Sequence, residues 1–581
     1  MSQTRSAYLV RVTQLLPRRS DWTHARPGRD LTAGLMVGLV ALPLALGFGA
    51  SSGLGAAAGL TTAIVAGAVA AVFGGSRVQV SGPTGAMTVV LVPIIATYGA
   101  HGVLVVGLLA GLILIGLGYA GAGRFIRYVP VPVVEGFTVG IAVIIGLQQV
   151  PAALGVDVHA EKVAALAGKA VHAWALDVQW APFGVAVGVA ALVLVLARLQ
   201  PLLPGSLLAV VLATVANSTL GWGAAPIGHI PSALPSPSLP GVPLGDLDAL
   251  VLPAIAVAAL AALESLLSAT VADGMSVSQR HDPNRELAGQ GLANLAAPLF
   301  GGIPATAAIA RTAVNVRSGA TSRLAALTHT VVLLVIVLVA ARWVGEIPRA
   351  ALAGVLIATA VQMVKVSSLT ALLRSTRGDA AVLTITALAT IAFDLVTAVL
   401  VGLVVAGFFA LRETAKSVRL EEMPLDDSDH TDHTDEERSL LDEHIVAYRI
   451  DGPLFFAAAH DFLLELADVT RVRVVVLRMS RITAIDATGA HVLADTVSRL
   501  EGRHITVLLS GVRPQHEQVL RELGVYDRLA HERHLFATTR EAIAHARLHA
   551  ARVAHSPGDG ATDQRNVAPQ DPHLRKDTRC A

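Results

Sequence analysis

Glu264 sits inside an apolar run, Ala259-Leu260-Ala261-Ala262-Leu263-Glu264-Ser265-Leu266-Leu267-Ser268, with Ser268 one turn further along the same helical face. An ionisable group in hydrocarbon costs roughly 2.5–3.5 kcal/mol on insertion scales, so it needs a partner or a water-filled cavity. One reading is a carboxylate that loads and releases a proton, or holds a cation, beside a substrate. The other is a carboxylate locked in a helix–helix hydrogen bond or an arginine pair. Arg311, in Ala310-Arg311-Thr312, is the matching cation. It would either recognise an anion or extend its charge to the membrane surface.

Two distant segments read alike: Ser81-Gly82-Pro83-Thr84-Gly85-Ala86-Met87-Thr88 and Gly302-Ile303-Pro304-Ala305-Thr306-Ala307-Ala308-Ile309. Each opens with a proline suited to a helix start, followed by hydroxyl and small residues. Matched Gly/Pro interruptions in the two halves of a membrane chain point to a transport site. A broken helix frees N–H groups, and its positive end attracts an anion. Thr84, Thr88 and Thr306, with the backbone at Gly85, Ala86, Ala307 and Ala308, are candidate anion contacts. For the threonines the alternative is helix capping. Phe48 would wall the site or pack in the core.

The elements that position these residues are apolar. The chain has 581 residues, 53% hydrophobic and 15% charged, whereas a soluble domain has about 25% charged. The deficit lies between about residues 30 and 410. A net charge of +1 gives no field for nucleic acid. Stretches of about 20 apolar residues cross a bilayer. Such stretches fall at 31–50, 53–73, 101–123, 131–150, 179–198, 204–221, 248–272, 322–342, 349–364 and 378–412, the last holding two spans joined near Asp394. Segments 83–98 and 304–317 read as half-helices, and 286–300 as an amphipathic element. The sum is fourteen elements, a 7+7 inverted repeat, in which the third and tenth meet at the midplane. Gln148, Gln149 and Glu135 read as scaffold hydrogen bonds.

Basic residues follow the even-numbered elements: Arg124, Arg127, Arg198, Arg280, Arg285, Lys365, Arg374, Arg377, Arg412, Lys416 and Arg419. Lys162 and Lys169 break the rule beside Asp157, Glu161 and Asp177. The pattern predicts a multi-pass protein of the cell membrane with both termini cytoplasmic. The expected layout is a cytoplasmic arm at 1–29, a membrane domain at 30–412, an acidic linker at 413–440, a soluble α/β domain at 441–552 and a disordered tail at 553–581. The α/β domain is expected to hold strands near 445–450, 472–479 and 505–510, and helices near 488–501 and 514–523. No phosphate loop of the GxxxxGK[ST] type occurs, and the histidines are scattered without a metal cluster. No metal or bound cofactor is therefore expected. The lone cysteine, Cys580, excludes an intrachain disulfide. These features favour a secondary transporter or channel over a pump or an enzyme.

Several of these motifs occur in the order of a known family. Gly289-Gln290-Gly291-Leu292-Ala293-Asn294, Gly301-Gly302-Ile303-Pro304-Ala305-Thr306, Ile309-Ala310-Arg311-Thr312-Ala313-Val314-Asn315, Ser81-Gly82-Pro83-Thr84-Gly85 and Leu42-Pro43 with Gly47-Phe48 resemble the SulP anion transporters, the sulfate permease family. The tail resembles a STAS domain through Asp486-Ala487-Thr488-Gly489. The resemblance implies core and gate domains, an elevator motion, a homodimer, and a cytoplasmic STAS domain with a possible protein partner. It implies a small anion such as sulfate, bicarbonate or a C4-dicarboxylate, held between the half-helices at Thr84, Gly85 and Ala86 and at Thr306 to Arg311. Glu264 with Ser268 matches the family's ion-coupling position. Sodium-coupled bicarbonate members commonly have Asp there and lack the arginine, so protons are favoured over sodium. Thr488 matches a hydroxyl phosphorylated in related anti-sigma antagonists, and capping next to Gly489 is its other role.

Overall fold

In the computed structural model the apolar part of the chain folds into helices broken at a few defined points. The structure describes residues 26–160, 162–200, 203–238, 247–275, 280–393, 395–416, 419–423, 444–454, 472–529, 531 and 534–554. They divide into two units between Gly407 and Phe408. The first unit contains α1 (Pro27–Ser51), α2 (Ala56–Phe73), β1 (Ser81–Gly82), α3 (Gly85–Ala120), α4 (Val131–Gln148), α5 (Val150–Leu154), α6 (Val163–Leu176), α7 (Trp180–Leu199) and α8 (Gly205–Leu220). After these come α9 (Leu247–Met275), α10 (Pro283–Leu299), β2 (Thr306–Ala307), α11 (Ile309–Arg317), α12 (Arg323–Gly345), α13 (Arg349–Met363), α14 (Val366–Ser375) and α15 (Arg377–Ala392), and the unit boundary falls within α16 (Leu395–Lys416). Among the described residues, eight helical stretches are long and apolar enough to cross a membrane.

Each expected span has a counterpart. α3 is continuous only in hydrogen bonding: Gly99, at φ 66° and ψ −169°, breaks it where segment 83–98 was expected to end. Glycine tolerates that conformation at no steric cost. α5, α6 and α14 are additional short helices. The prolines do not start the half-helices. α3 begins at Gly85 with Thr84 as N-cap, and α11 begins at Ile309 with Ala308 as N-cap. Residues 81–82 and 306–307 instead form an antiparallel ladder, Ser81 opposite Ala307 and Gly82 opposite Thr306. Continued by one residue, that register sets Pro83 opposite Ala305 rather than Pro304.

Two sets of helices pack among themselves. α1, α2, α3, α9, α10, α11 and α12 form one set, and α4 to α8 with α13 to α15 the other. α13 packs on α1, and α3 on α4, to join them. Small residues permit close approach without a hydrophobic driving force. A Cβ on Gly291 would lie 2.7 Å from the Gly111 carbonyl oxygen, so α3 and α10 meet nearly backbone to backbone. Asp30, fully buried, accepts from the backbone of Thr321 (2.6 Å) and Ser322 (3.1 Å) and from the Ser322 hydroxyl (2.7 Å), tying α1 to the start of α12.

The second unit is an α/β sandwich. Its elements are β3 (Arg419–Met423), β4 (Ile445–Leu454), β5 (Val474–Arg478), β6 (Ile482–Ile485), α17 (Ala487–Gly502), β7 (Thr506–Ser510), α18 (Pro514–Glu522), β8 (Leu535–Phe536) and α19 (Thr539–Ala554). The strand order is β3-β4-β5-β7-β8, with β6 paired to β4. β3 is antiparallel to β4, and the other pairs are parallel. The valines and leucines of β5 and β7 are buried on both faces, as parallel strands require. The linker expectation therefore fails at its start: residues 413–416 finish α16, and 419–423 are a strand. The rest of that linker, the tail beyond 554, the first 25 residues and Asp394 lie outside the described residues.

Candidate functional site

The ladder between β1 and β2 sets the N-termini of α3 and α11 side by side. The first N–H groups of any helix lack intrahelical partners. Thr84 accepts one, from Met87 N at 3.4 Å. The amides of Gly85 and Ala86 make no hydrogen bond among the described residues. α11 has no side-chain cap at all. Its first free groups are the amides of Ile309, Ala310 and Arg311, because Ala307 N donates to Ser265 Oγ (3.2 Å) and Ala308 N to the Val80 carbonyl (3.0 Å). The expected contacts at Ala307 and Ala308 thus move one turn forward. The cause is the Ser265 hydroxyl on α9 and the Val80 carbonyl next to β1, which consume those two donors.

The threonine hydroxyls are likewise spent. Thr88 Oγ1 donates to the Gly85 carbonyl (2.7 Å), and Thr306 Oγ1 pairs with Ser265 Oγ (2.9 Å). Thr84 Oγ1 donates to Glu264 Oε2 at 2.9 Å. The hydroxyls of Thr84, Thr88 and Thr306 are thus all engaged with protein partners.

Arg311 is 1% exposed, which rules out an arginine reaching for the surface. Its Nη2 donates to the Pro83 carbonyl, linking the second half to the first. Its Nε and Nη1 have no hydrogen-bond partner among the described residues. Gly82 makes room for it: a Cβ there would lie 2.6 Å from Nη1. Among the described residues Glu264 and Arg311 do not form an ion pair, so the arginine-pair form of the alternative reading is not seen, whereas the Thr84 hydroxyl gives Glu264 the inter-element hydrogen bond which that reading also allowed. Ser268 does not serve Glu264; its hydroxyl donates to Thr312 Oγ1 at 3.1 Å. Phe48 is buried, with its ring edge 3.1 Å from where a Cβ of Gly85 would stand, and Ile145 packs closer still. These two side chains cover the α3 N-terminus. Any residue larger than glycine at position 85 would collide with them.

Beyond Phe48, a cavity of about 470 Å³ opens at the C-terminal end of α1, lined by Gly47, Ser51, Gln148, Gln149 and Arg349 among others. Gln149 bonds Ser51 (3.1 Å), as a scaffold residue would, whereas the buried Gln148 amide has no partner. Glu135 accepts from Ser368 (3.0 Å).

A buried polar frame holds the ladder, and sequence reading assigned it no role. Asn294 accepts from Ala305 N and donates to its carbonyl, both at 2.8 Å. Thr62 accepts from Ile303 N at 2.7 Å. Glu286 receives Gly75 N (2.7 Å) and Gln290 Nε2 (2.9 Å), and Gln290 Nε2 also reaches Ser81 Oγ (2.7 Å). The signal was present: Gln290 and Asn294 are four apart on α10, and a polar pair facing inward at that spacing grips backbone. In the second unit, Thr488 is exposed in the first turn of α17. The N-cap is Asp486, whose Oδ1 accepts from Gly489 N at 2.6 Å. The capping role expected of Thr488 belongs to Asp486. The histidines are not all scattered either: folding gathers His534, His545 and His549.

Comparison with known proteins agrees with this architecture. The Sulfate permease family profile matches residues 28–386, and the STAS domain profile matches 441–542. YvdB of Bacillus subtilis (strain 168) is 34% identical over 525 residues, spanning 87% of this chain and 96% of its own. The Bicarbonate transporter BicA of Picosynechococcus sp. is 29% identical, spanning 86% of this chain and 91% of its own. A solved structure of SLC26A9 covers 95% of this chain and 96% of that one with a TM-score of 0.77; at 17% identity it speaks for the fold alone. Paired broken helices, a buried free arginine and an α/β tail domain thus coincide with family-wide matches, and the chain belongs to the sulfate permease family of membrane anion transporters, with a C-terminal STAS domain.

Proposed function

We propose that this protein is a secondary active symporter that moves a small oxyanion with protons. The observation that carries this reading is the convergence of two helix N-termini, with unpartnered amides, on the unpartnered Nε and Nη1 of Arg311. Helix-end amides and an arginine fork together suit a compact anion with several acceptor oxygens. Sulfate and bicarbonate fit that description, and a C4-dicarboxylate would place one carboxylate there. Phe48 and Ile145 would close the site toward the cavity. Glu264 is the coupling group: its partner is a hydroxyl rather than a fixed cation, so it can exchange a proton during the cycle. The alternatives are sodium-coupled bicarbonate symport and uncoupled exchange or channel flux. The turning of the Ser268 hydroxyl toward Thr312 weakens sodium ligation by that pair.

The two helix sets suggest that the one bearing the site moves as a body against the other, an elevator cycle in a homodimer with both termini in the cytoplasm of a cell-membrane protein. The test is uptake of labelled sulfate, bicarbonate and fumarate by purified protein in liposomes under imposed proton or sodium gradients. Proton-driven accumulation of one anion, abolished in Glu264→Gln while passive exchange persists, is expected. Sodium-driven uptake, or no uptake under any gradient, defeats the proposal.

A further inference from the structure

The STAS domain carries a cluster of histidines that anion transport does not use. His534 lies immediately before β8, the edge strand of the sheet. It is 4% exposed, and its buried Nδ1 has no hydrogen-bond partner. His545 and His549 stand one turn apart on α19, so they share a face. Their Nε2 atoms are 3.2 Å apart. One ligating nitrogen from each of the three histidines can be chosen so that all lie within 4.8 Å of one another. The ring of His534 is 5.7 Å from that of His545 and 5.3 Å from that of His549.

Those spacings suit a metal ion. Two nitrogens on a tetrahedral zinc, each at about 2.0–2.1 Å, stand about 3.3 Å apart. Two histidines four residues apart on one helix are a recurrent way to supply such a pair. The donor set is imidazole alone. That selects zinc, copper, nickel or cobalt over magnesium or calcium, which need oxygen ligands.

The place of the cluster gives it a consequence. α19 meets the sheet through Ala542 and Ala546, which pack on Ile445, Ala447, Val474, Val476 and Leu508. Two methyl groups bury little apolar area, so hydrophobic contact holds this helix weakly. A metal bridging His534 to His545 and His549 would fasten it to the sheet edge.

We propose that His534, His545 and His549 form a binding site for a zinc-class divalent transition metal that latches α19 onto β8. Three protein ligands leave one position of a tetrahedral ion to water. In a STAS domain the latch would make the sheet-edge surface responsive to metal.

The test uses the full chain in detergent, without a polyhistidine tag, stripped with EDTA and then titrated with zinc chloride. About one zinc per chain should survive gel filtration, and hydrogen exchange of residues 539–549 should slow on zinc addition. His545→Ala with His549→Ala should weaken zinc binding by about tenfold or more, with helix propensity intact because alanine is the best helix former. His534→Gln should do the same from the other side of the latch. Magnesium chloride should neither bind nor slow exchange. Equal zinc content in wild type and the double variant overturns the site. Zinc binding that leaves exchange in α19 unchanged overturns the latch.

Discussion

Arg311→Lys tests the anion site most directly. The native guanidinium spends Nη2 on the Pro83 carbonyl and keeps Nε and Nη1 free. A lysine retains the charge but presents one ammonium, which cannot hold the Pro83 carbonyl and also present a fork to an anion. A hydrogen bond to a charged group contributes about 1.5–3 kcal/mol. Losing one should weaken anion binding about 10- to 150-fold, at about 1.4 kcal/mol per factor of ten. The assay is concentration-dependent uptake into liposomes, where KM should rise by that factor with a smaller change in maximal rate. A thermal-melting series separates binding from mere loss of the Pro83 staple. Anion at 100 times Kd stabilises the wild type by about 2.7 kcal/mol, whereas at the same concentration a protein binding 100-fold more weakly gains only about 0.4 kcal/mol. A variant that melts lower without anion, yet keeps the wild-type KM and the full anion-induced stabilisation, would show that Arg311 only braces the backbone, and the site assignment would fall.

Asn294→Ala should strip both the Ala305 amide and its carbonyl of their partner; at about 1–3 kcal/mol for each buried group left unpaired, detergent melting should drop by several degrees and functional yield should fall. Asp486→Ala removes the α17 N-cap and should cost about 1 kcal/mol in unfolding of the STAS domain, read by chemical denaturation. Burial, reinforced by Arg513, holds the pKa of His516 below the ordinary histidine value. A histidine depressed on folding contributes stability that is complete above its unfolded pKa and is lost as pH falls below it. The STAS unfolding midpoint should therefore decline on acidification below about pH 6.5, and His516→Gln should flatten that decline. A midpoint that rises on acidification would contradict the assignment.

Much of the membrane domain was legible because hydrophobic length is a one-dimensional signal. The breaks at Gly99 and before Gly85 coincide with residues whose backbone behaviour is distinctive. Burial of Arg311 was not legible, since depth depends on the packing of α1 and α9 around α11. Nor was the assignment of donors. Ala307, Ala308 and Thr306 are the right chemical types in the right place, but Ser265 and the Val80 carbonyl claim their hydrogen bonds first. That competition exists only once residues from distant parts of the chain meet. The polar frame of Thr62, Glu286, Gln290 and Asn294 was hidden for the same reason. Its partners are main-chain atoms, which leave no mark in composition. The histidine latch escaped because His534 and the α19 pair are joined by sheet topology rather than by spacing.

The pairing of Ser81–Gly82 with Thr306–Ala307 has a consequence for how such a protein can change over evolution. The ladder is made by main-chain atoms, which tolerate many side chains, so the frame can persist while the residues on either strand change. The two halves of the membrane domain supply unlike groups. The second supplies the cation, Arg311, together with the acid, Glu264. The first supplies the hydroxyl of Thr84 and the aromatic cover of Phe48. The ladder thereby joins a polar cell with unlike walls, and a new anion preference could arise by altering one wall while the other keeps the frame in register.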